Sequence, residues 1–325
     1  MEVIDQGLGE LIQPPDMEAF RLWNRTQKKH EMVDKLMSEQ EAVQRFVTDG
    51  CYIGTELYGS VRAPMSLVRE IVRQKPQNLR VSGQSVLEVD LWLAAGLIEA
   101  IDLTYIGLEL YGVSNPLRRE VENGRVKRIV EWSNSALTWR LKAAAMGVPF
   151  LPARTMLGTD TFRYSGAKVV EDPFTGSKVC LLPALVMDVA LIHVHRADRY
   201  GNSQIDGISG FAAETARATK RLIVSAEEIV DTELIRRQPD RTIIPYFLVD
   251  AVVHAPFGSH PGEMVYCYGR DEDEIRAWVK ASETAEGATD YLEMFAYGVP
   301  DHAAYLELIG QERLEVLRRK AERHR

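Results

Sequence analysis

From residue 38 the chain alternates short apolar runs with amphipathic segments. Ser38-Glu39-Gln40-Glu41 has the form of a capping box, where a Ser hydroxyl and a Glu carboxylate three residues on satisfy each other's free backbone N–H groups. A short helix follows, with Ala42, Val43, Phe46 and Val47 on one face and Gly50 as its stop. Residues 51–55 read as a strand. Residues 64–73 read as a helix opened by Pro64, with Leu67, Val68, Ile71 and Val72 turned inward. The same pattern predicts strands over 79–83, 103–110 and 126–132. It predicts helices over 89–100, 116–122 and 135–146, the last closed by Gly147 and Pro149. Apolar runs over 178–182, 186–195 and 221–225 suit buried strands. Such alternation implies a largely parallel sheet with helices on both faces.

The ends read differently. Residues 1–37 are polar and mixed, with a helical stretch expected within 18–37, and form an N-terminal extension. The main α/β domain is expected over 38–270 and a helical C-terminal extension over 271–325. Residues 301–325 predict one amphipathic helix whose basic end, Arg318-Arg319-Lys320, suits the negative pole of the helix dipole.

Composition narrows the function classes. The net charge of −8 argues against a nucleic-acid partner, which favours a basic excess. No apolar run nears the ~20 residues that span a bilayer, and the acidic start lacks a signal-peptide core, so no membrane partner is expected. Cys51, Cys180 and Cys267 lie far apart, as reduced thiols of a cytoplasmic protein do. One internal echo pairs Gly54-Thr55-Glu56-Leu57-Tyr58-Gly59 with Gly107-Leu108-Glu109-Leu110-Tyr111-Gly112. Both stretches are expected where a strand hands over to a helix, the edge at which open parallel sheets bind ligands.

Several longer stretches carry a family resemblance. They are Ala144-Ala145-Met146-Gly147-Val148-Pro149-Phe150-Leu151-Pro152, then Gly158-Thr159, then Ala197-Asp198-Arg199-Tyr200-Gly201-Asn202. Glu227-Glu228-Ile229-Val230 follows, then residues 249–253 with Ala255-Pro256, Gly258 and His260-Pro261. In this order and spacing the chain resembles, over roughly 41–310, the A subunits of type I CoA-transferases, above all that of glutaconate CoA-transferase. The resemblance implies an open α/β/α sandwich, a B-subunit partner in a heterotetramer or larger assembly, and no permanently bound cofactor. The substrates it implies are a coenzyme A thioester and a carboxylic acid. It further implies that a glutamate attacks the thioester to give an acyl-glutamyl anhydride, which returning CoA thiolate converts to an enzyme thioester. Each step needs oxyanion donors, and losing one commonly costs ~2.7–4 kcal/mol. That glutamate belongs to the B half, expected on a separate chain. Glu122-Asn123-Gly124 spells a similar triplet, but in a charged surface stretch where a chance match is the simpler reading.

Candidate site residues divide in two. Glu56 and Glu109 read either as solvated charges or as a carboxylate pair at adjacent sheet mouths, suited to general acid–base catalysis. Asn134 falls where some members carry a Gln, and reads either as a thioester contact or as a helix N-cap. Gly54 and Gly59 bracket the turn that replaces the family's G-G-F. Ser66 falls where some members carry an amide facing the thioester, or caps its helix. His260 reads as a loop histidine reaching a cleft or as part of a turn. His193 and His195 share one face of a strand and lack a third metal ligand nearby in sequence. Replacing the G-G-F turn with Glu56 raises a second reading, the ring-opening hydrolases of the same fold, which cleave a carbon–carbon bond in a cyclic acyl-CoA. A third, a non-catalytic ligand-binding protein of this fold such as the sugar-sensing regulators, lacks the helix-turn-helix expected of it.

Overall fold

The computed structural model describes residues 2–56, 59–83 and 87–322. Among them the strands in chain order are β1 Val3–Gln6, β2 Tyr52–Thr55, β3 Leu79–Gly83, β4 Ile98–Leu103, β5 Arg128–Glu131, β6 Phe150–Ala153 and β7 Lys168–Glu171. They continue with β8 Lys178–Pro183, β9 Met187–Ala197, β10 Ser203–Gln204, β11 Thr219–Ile229, β12 Thr242–Ile244 and β13 Ala251–His254. A wholly parallel sheet runs β13-β11-β9-β2-β3-β4-β5. β10 and β12 extend the far end of β9 antiparallel.

Strand alternation builds two cores. On β9, Ala190, Ile192 and Val194 face one layer while Val189 and Leu191 face the other. The second layer holds helices Glu39–Phe46, Met65–Gln74, Glu88–Ala94 and Glu272–Ala281. The first holds helices Met17–Thr26, Asn134–Met146 and Ala212–Arg217 with a four-stranded sheet, β1-β7-β8-β6. The α/β/α sandwich with a parallel sheet is therefore present, and one layer carries extra strands.

Ser38 Oγ accepts from Glu41 N at 3.1 Å, as the capping box requires. Elsewhere the elements depart from the predicted pattern. The helix expected over 89–100 ends at Ala94, because Gly96 at φ +70° turns the chain and β4 starts at Ile98. The strand expected over 103–110 is instead a loop with a 3-10 turn, Glu109–Tyr111. The run over 178–182, expected in the parallel sheet, is β8 of the antiparallel one. Gly310 at φ +89° splits the last helix into His302–Ile309 and Gln311–Glu322. Residues 323–325 lie outside the described residues. The N-terminal segment is built into the fold: β1 pairs with β7, and Met17 and Phe20 are buried in the first core.

The C-terminal helices cover helix Met65–Gln74 through a buried polar cluster. His260 Nε2 donates to Asp271 Oδ2 at 3.0 Å and Nδ1 accepts from Tyr305 OH at 2.7 Å. His302 Nε2 donates to Pro256 O at 2.8 Å, and Nδ1 accepts from Arg69 at 3.2 Å. Burial holds the His302 imidazole well below its ordinary pKa, and the Arg69 guanidinium adds to the effect. The folded protein therefore refuses a proton that the unfolded chain takes up near pH 6.5. The stability this neutral ring contributes is complete above that pH and is lost as pH falls below it. Urea melts of the wild type and His302→Gln should differ most at pH 7.5, the gap closing by about 1 kcal/mol per unit below pH 6. A gap independent of pH would refute the assignment of a neutral, linked His302.

Candidate functional site

Strand order reverses between β2 and β9: β3, β4 and β5 step away on one side of β2, β11 and β13 on the other side of β9. Ligands of open α/β sheets bind at the carboxyl ends of strands beside such a reversal. A pocket of about 600 Å³ lies there. The loop after β2 supplies Gly59, Ser60 and Val61. The 3-10 turn supplies Glu109, and helix Asn134–Met146 supplies Asn134, Ser135, Thr138 and Trp139. Phe211 and Arg270 complete the wall.

Gly59, Glu109 and Asn134 of the expected set thus meet in one cavity. Glu109 is exposed and holds φ +51°, a left-handed backbone that costs a non-glycine residue and tends to persist at functional sites. Gly59, at φ +55°, lies so close that a Cβ there would stand 2.9 Å from Glu109 Oε1. The echoing G-x-E-L-Y-G stretches are brought together by this contact. Leu57 and Tyr58 lie outside the described residues. Asn134 opens its helix as the first residue, not as the cap. Ser133 is the cap, its Oγ accepting from Ala136 N at 3.1 Å. Ser133, Ser135 and Thr155 share hydroxyl contacts of 3.0–3.2 Å at the same helix start.

The other expected residues do not line the cavity. Glu56 is sealed beneath it, with 4% of its surface exposed. Arg62 Nη1 and Nη2 each donate to it at 2.6 Å, and the backbone N–H groups of Phe211 and Ala212 add to the grip. Burial pushes the Glu56 carboxyl above its ordinary pKa, while Arg62 pulls the other way. The pairing expected with Glu109 is therefore not formed: Arg62, six residues on, supplies the fork that claims both oxygens. Gly54 is mid-strand, where a Cβ would strike Met187 Sδ at 2.4 Å. Ser66 is wholly buried in the first turn of helix Met65–Gln74, its N–H donating to Gly258 O. His260 has both ring nitrogens occupied in the C-terminal cluster.

Three further constellations resolve as structure. Asp198 Oδ1 accepts from the backbone N–H groups of Tyr200, Gly201 and Asn202, so that motif fixes the β9–β10 turn. His193 bridges Ser225 Oγ and Glu227 Oε1, each at 2.8 Å, in the order of a catalytic triad. Ser225 and His193 are wholly buried, and Glu227 also takes Tyr268 OH and Phe257 N–H, so no substrate reaches them. Burial pushes the Cys51 and Cys180 thiols up to about 11, which leaves both inert as nucleophiles. Among the described residues no cluster of three His, Cys, Asp or Glu is placed to hold a metal. No described helix is long and apolar enough to cross a membrane.

The family model "Coenzyme A transferase" matches residues 36–255. The chain belongs to the coenzyme A transferase family. The A subunit of 3-oxoadipate CoA-transferase from Pseudomonas knackmussii is 32% identical over 281 residues, covering 85% of this chain and 99% of the relative. The A subunit of glutaconate CoA-transferase from Acidaminococcus fermentans is 31% identical over 301 residues, covering 87% and 94%. The crystal structure of that glutaconate enzyme superposes with a TM-score of 0.84 over 87% of this chain and 95% of the other. A cholesterol ring-cleaving hydrolase IpdA subunit of Mycobacterium tuberculosis (strain H37Rv) is 28% identical over 293 residues, covering 87% of this chain and all of its own. Ser60, Phe211 and Arg270 had no signal in the sequence, since each enters from a separate loop. Arg270 also lies beyond the matched region.

Two substitutions separate scaffold from site. Glu56→Gln strands the Arg62 charge in the interior and should cost ~3–5 kcal/mol in a denaturant melt. Asn134→Ala touches neither cap nor core and should leave the melt within ~0.5 kcal/mol. A Glu56→Gln protein as stable as the wild type would show that the pair is not what holds this loop.

Proposed function

We propose that this chain is the A subunit of a two-subunit CoA-transferase, moving CoA between carboxylic acids with the nucleophilic glutamate on the B subunit. The supporting observation is the pocket itself. It lies at the strand-order reversal, and its one carboxylate among the described lining residues, Glu109, stands exposed on a turn. The remaining polar lining is amide, hydroxyl and guanidinium, groups that bind and polarise an acyl oxygen rather than attack a carbonyl.

The partner's glutamate carboxylate forms a C–O bond to the thioester carbonyl and the C–S bond breaks, releasing CoA thiolate. The thiolate then attacks the glutamyl carbonyl of the mixed anhydride. The acid leaves as its carboxylate, with a glutamyl-CoA thioester on the enzyme. The acceptor acid runs the two steps in reverse. No proton is consumed. The part of this chain is to hold the acyl group and to stabilise the oxyanion of each addition. The Asn134 amide and the Ser135 hydroxyl stand at a helix N-terminus, whose dipole favours that charge. A second reading, opening of a ring in a cyclic acyl-CoA, draws on Glu109. An exposed pocket carboxylate on a strained backbone is a suitable general base.

Co-expression with the B partner and exchange assays with several acyl-CoA donors test both. This chain alone should be inactive, and the complex should exchange CoA and be inactivated by borohydride in the presence of donor. Glu109→Gln should change transfer by less than about threefold, whereas on the ring-opening reading it should cost ~100-fold. Robust transfer by this chain without its partner would overturn the assignment.

A further inference from the structure

His195 lies buried near the carboxyl end of β9, and both of its ring nitrogens are spent on backbone. Nε2 donates to Val265 O at 2.7 Å, and Nδ1 accepts from Asp206 N at 3.1 Å. Only a neutral ring protonated on Nε2 makes both bonds, and burial holds its pKa below the ordinary value. The two bonds reach the two segments that complete the pocket wall. Asp206 begins the turn that ends at Phe211. Val265 belongs to a tight turn, closed by the N–H groups of Cys267 and Tyr268 on Met264 O, that leads to Arg270. The turns also touch, since a Cβ on Gly207 would stand 3.3 Å from the Tyr266 ring.

The first of these segments is held at its ends and loose between them. Arg196 forks the Asp206 carboxylate at 2.8 and 2.7 Å, and Glu56 holds the N–H groups of Phe211 and Ala212. Between them Gly207 and Gly210 take φ +77° and +54°, a backbone that glycine adopts without strain, and Ile208 is 59% exposed. A second cavity, of about 620 Å³, opens beside Asp206, Gly207, Arg241 and Tyr266. Gly207 faces that cavity and Phe211 faces the pocket, so the segment is a partition between two spaces. A partition with room on both sides is kept in place by its tethers more than by packing. The Arg196 fork fixes the Asp206 side chain. The imidazole fixes the Asp206 backbone, and fixes it relative to Val265. We propose that His195 is a positioning residue for the pocket: it ties segment 206–211 to turn 264–268, and so sets how Phe211 and Arg270 stand to each other. The inference rests on the acyl-transfer reading for its effect on turnover, and on the two ring bonds for the tie itself.

Two substitutions cut the tie at different ends, because an Asn amide oxygen falls near the place of Nδ1 and a Gln amide nitrogen near that of Nε2. His195→Asn should keep the bond from Asp206 and lose the one to Val265, and His195→Gln should do the reverse. Amide hydrogen exchange of the full chain should then rise about tenfold or more over 264–270 alone in His195→Asn, and over 206–211 alone in His195→Gln. Turnover is measured on the complex with the B subunit, with acetyl-CoA, butyryl-CoA and glutaryl-CoA as donors and propionate as acceptor. Each variant should raise KM for the best donor about fivefold or more and leave kcat within about threefold. His195→Leu, which cuts both ends, should exceed either. Exchange that rises across the whole chain, or in neither segment, would overturn the proposal, as would segment-specific exchange with an unchanged KM. If the wild-type complex transfers CoA from none of the donors, the transfer reading is what fails. The exchange pattern then decides the role of His195: a rise confined to the expected segment supports the tie, and a general or absent rise refutes it.

Discussion

The parallel pairing of β2 with β9 is the constraint on which the rest of the molecule depends. Ile53, Gly54 and Thr55 lie opposite Val189, Ala190 and Leu191, and β9 also carries β11 on its other edge. A strand buried on both faces has no room to slip, since a one-residue shift would exchange the two cores. Gly54 sharpens the fit, because any side chain there would collide with Met187. This register decides where β2 ends, hence where the loop to Arg62 begins, hence where Gly59 meets Glu109.

A buried polar frame carries the register outward. Asp102 on β4 accepts from the Tyr52 hydroxyl and from Trp132 Nε1 at 2.6 Å, and its carboxylate forms an ion pair with Arg140 Nη1 at 3.0 Å. Arg140 sits on helix Asn134–Met146, and its Nε donates to Pro183 O on β8. The helix start that presents Asn134 and Ser135 is thus tied to β2, β4 and β8 at once. Breaking one member would leave a charge without its partner in a water-free interior, which is why such frames hold one geometry.

Much of this is legible in the chain. The span of β3 and the cap at Ser38 follow from local chemistry, where neighbours in sequence are neighbours in space. Residues 88–103 mislead because Leu97, Ile98, Ala100 and Ile101 suit a helix face or a buried strand equally, and the glycine that decides between them is a single residue. Glu56 sits at the expected turn in an unexpected environment. A strand-end carboxylate looks solvated until the Arg62 fork and the N–H groups of residues 211 and 212 are seen around it. Gly59, Glu109 and Asn134 are legible because each lies at the end of a recognisable element or motif. Ser60 and Arg270 are not, because nothing in their local sequence reports the cavity they share.

The attachment of residues 269–271 couples the two ends of the architecture. Gly269 N–H bonds Leu317 O at 2.9 Å, and Lys320 Nζ donates to the Arg270 carbonyl at 3.2 Å. Asp271 is gripped by Arg313 at 2.7 Å. The final helix is thus a splint for the segment that carries Arg270, although its own side chains stay outside the cavity. A polypeptide shortened before residue 311 would keep every strand of the parallel sheet and the pocket floor, yet lose the brace that aims one guanidinium. The aim of a side chain on the cavity wall is therefore open to tuning from a surface helix, through stiffness rather than through contact.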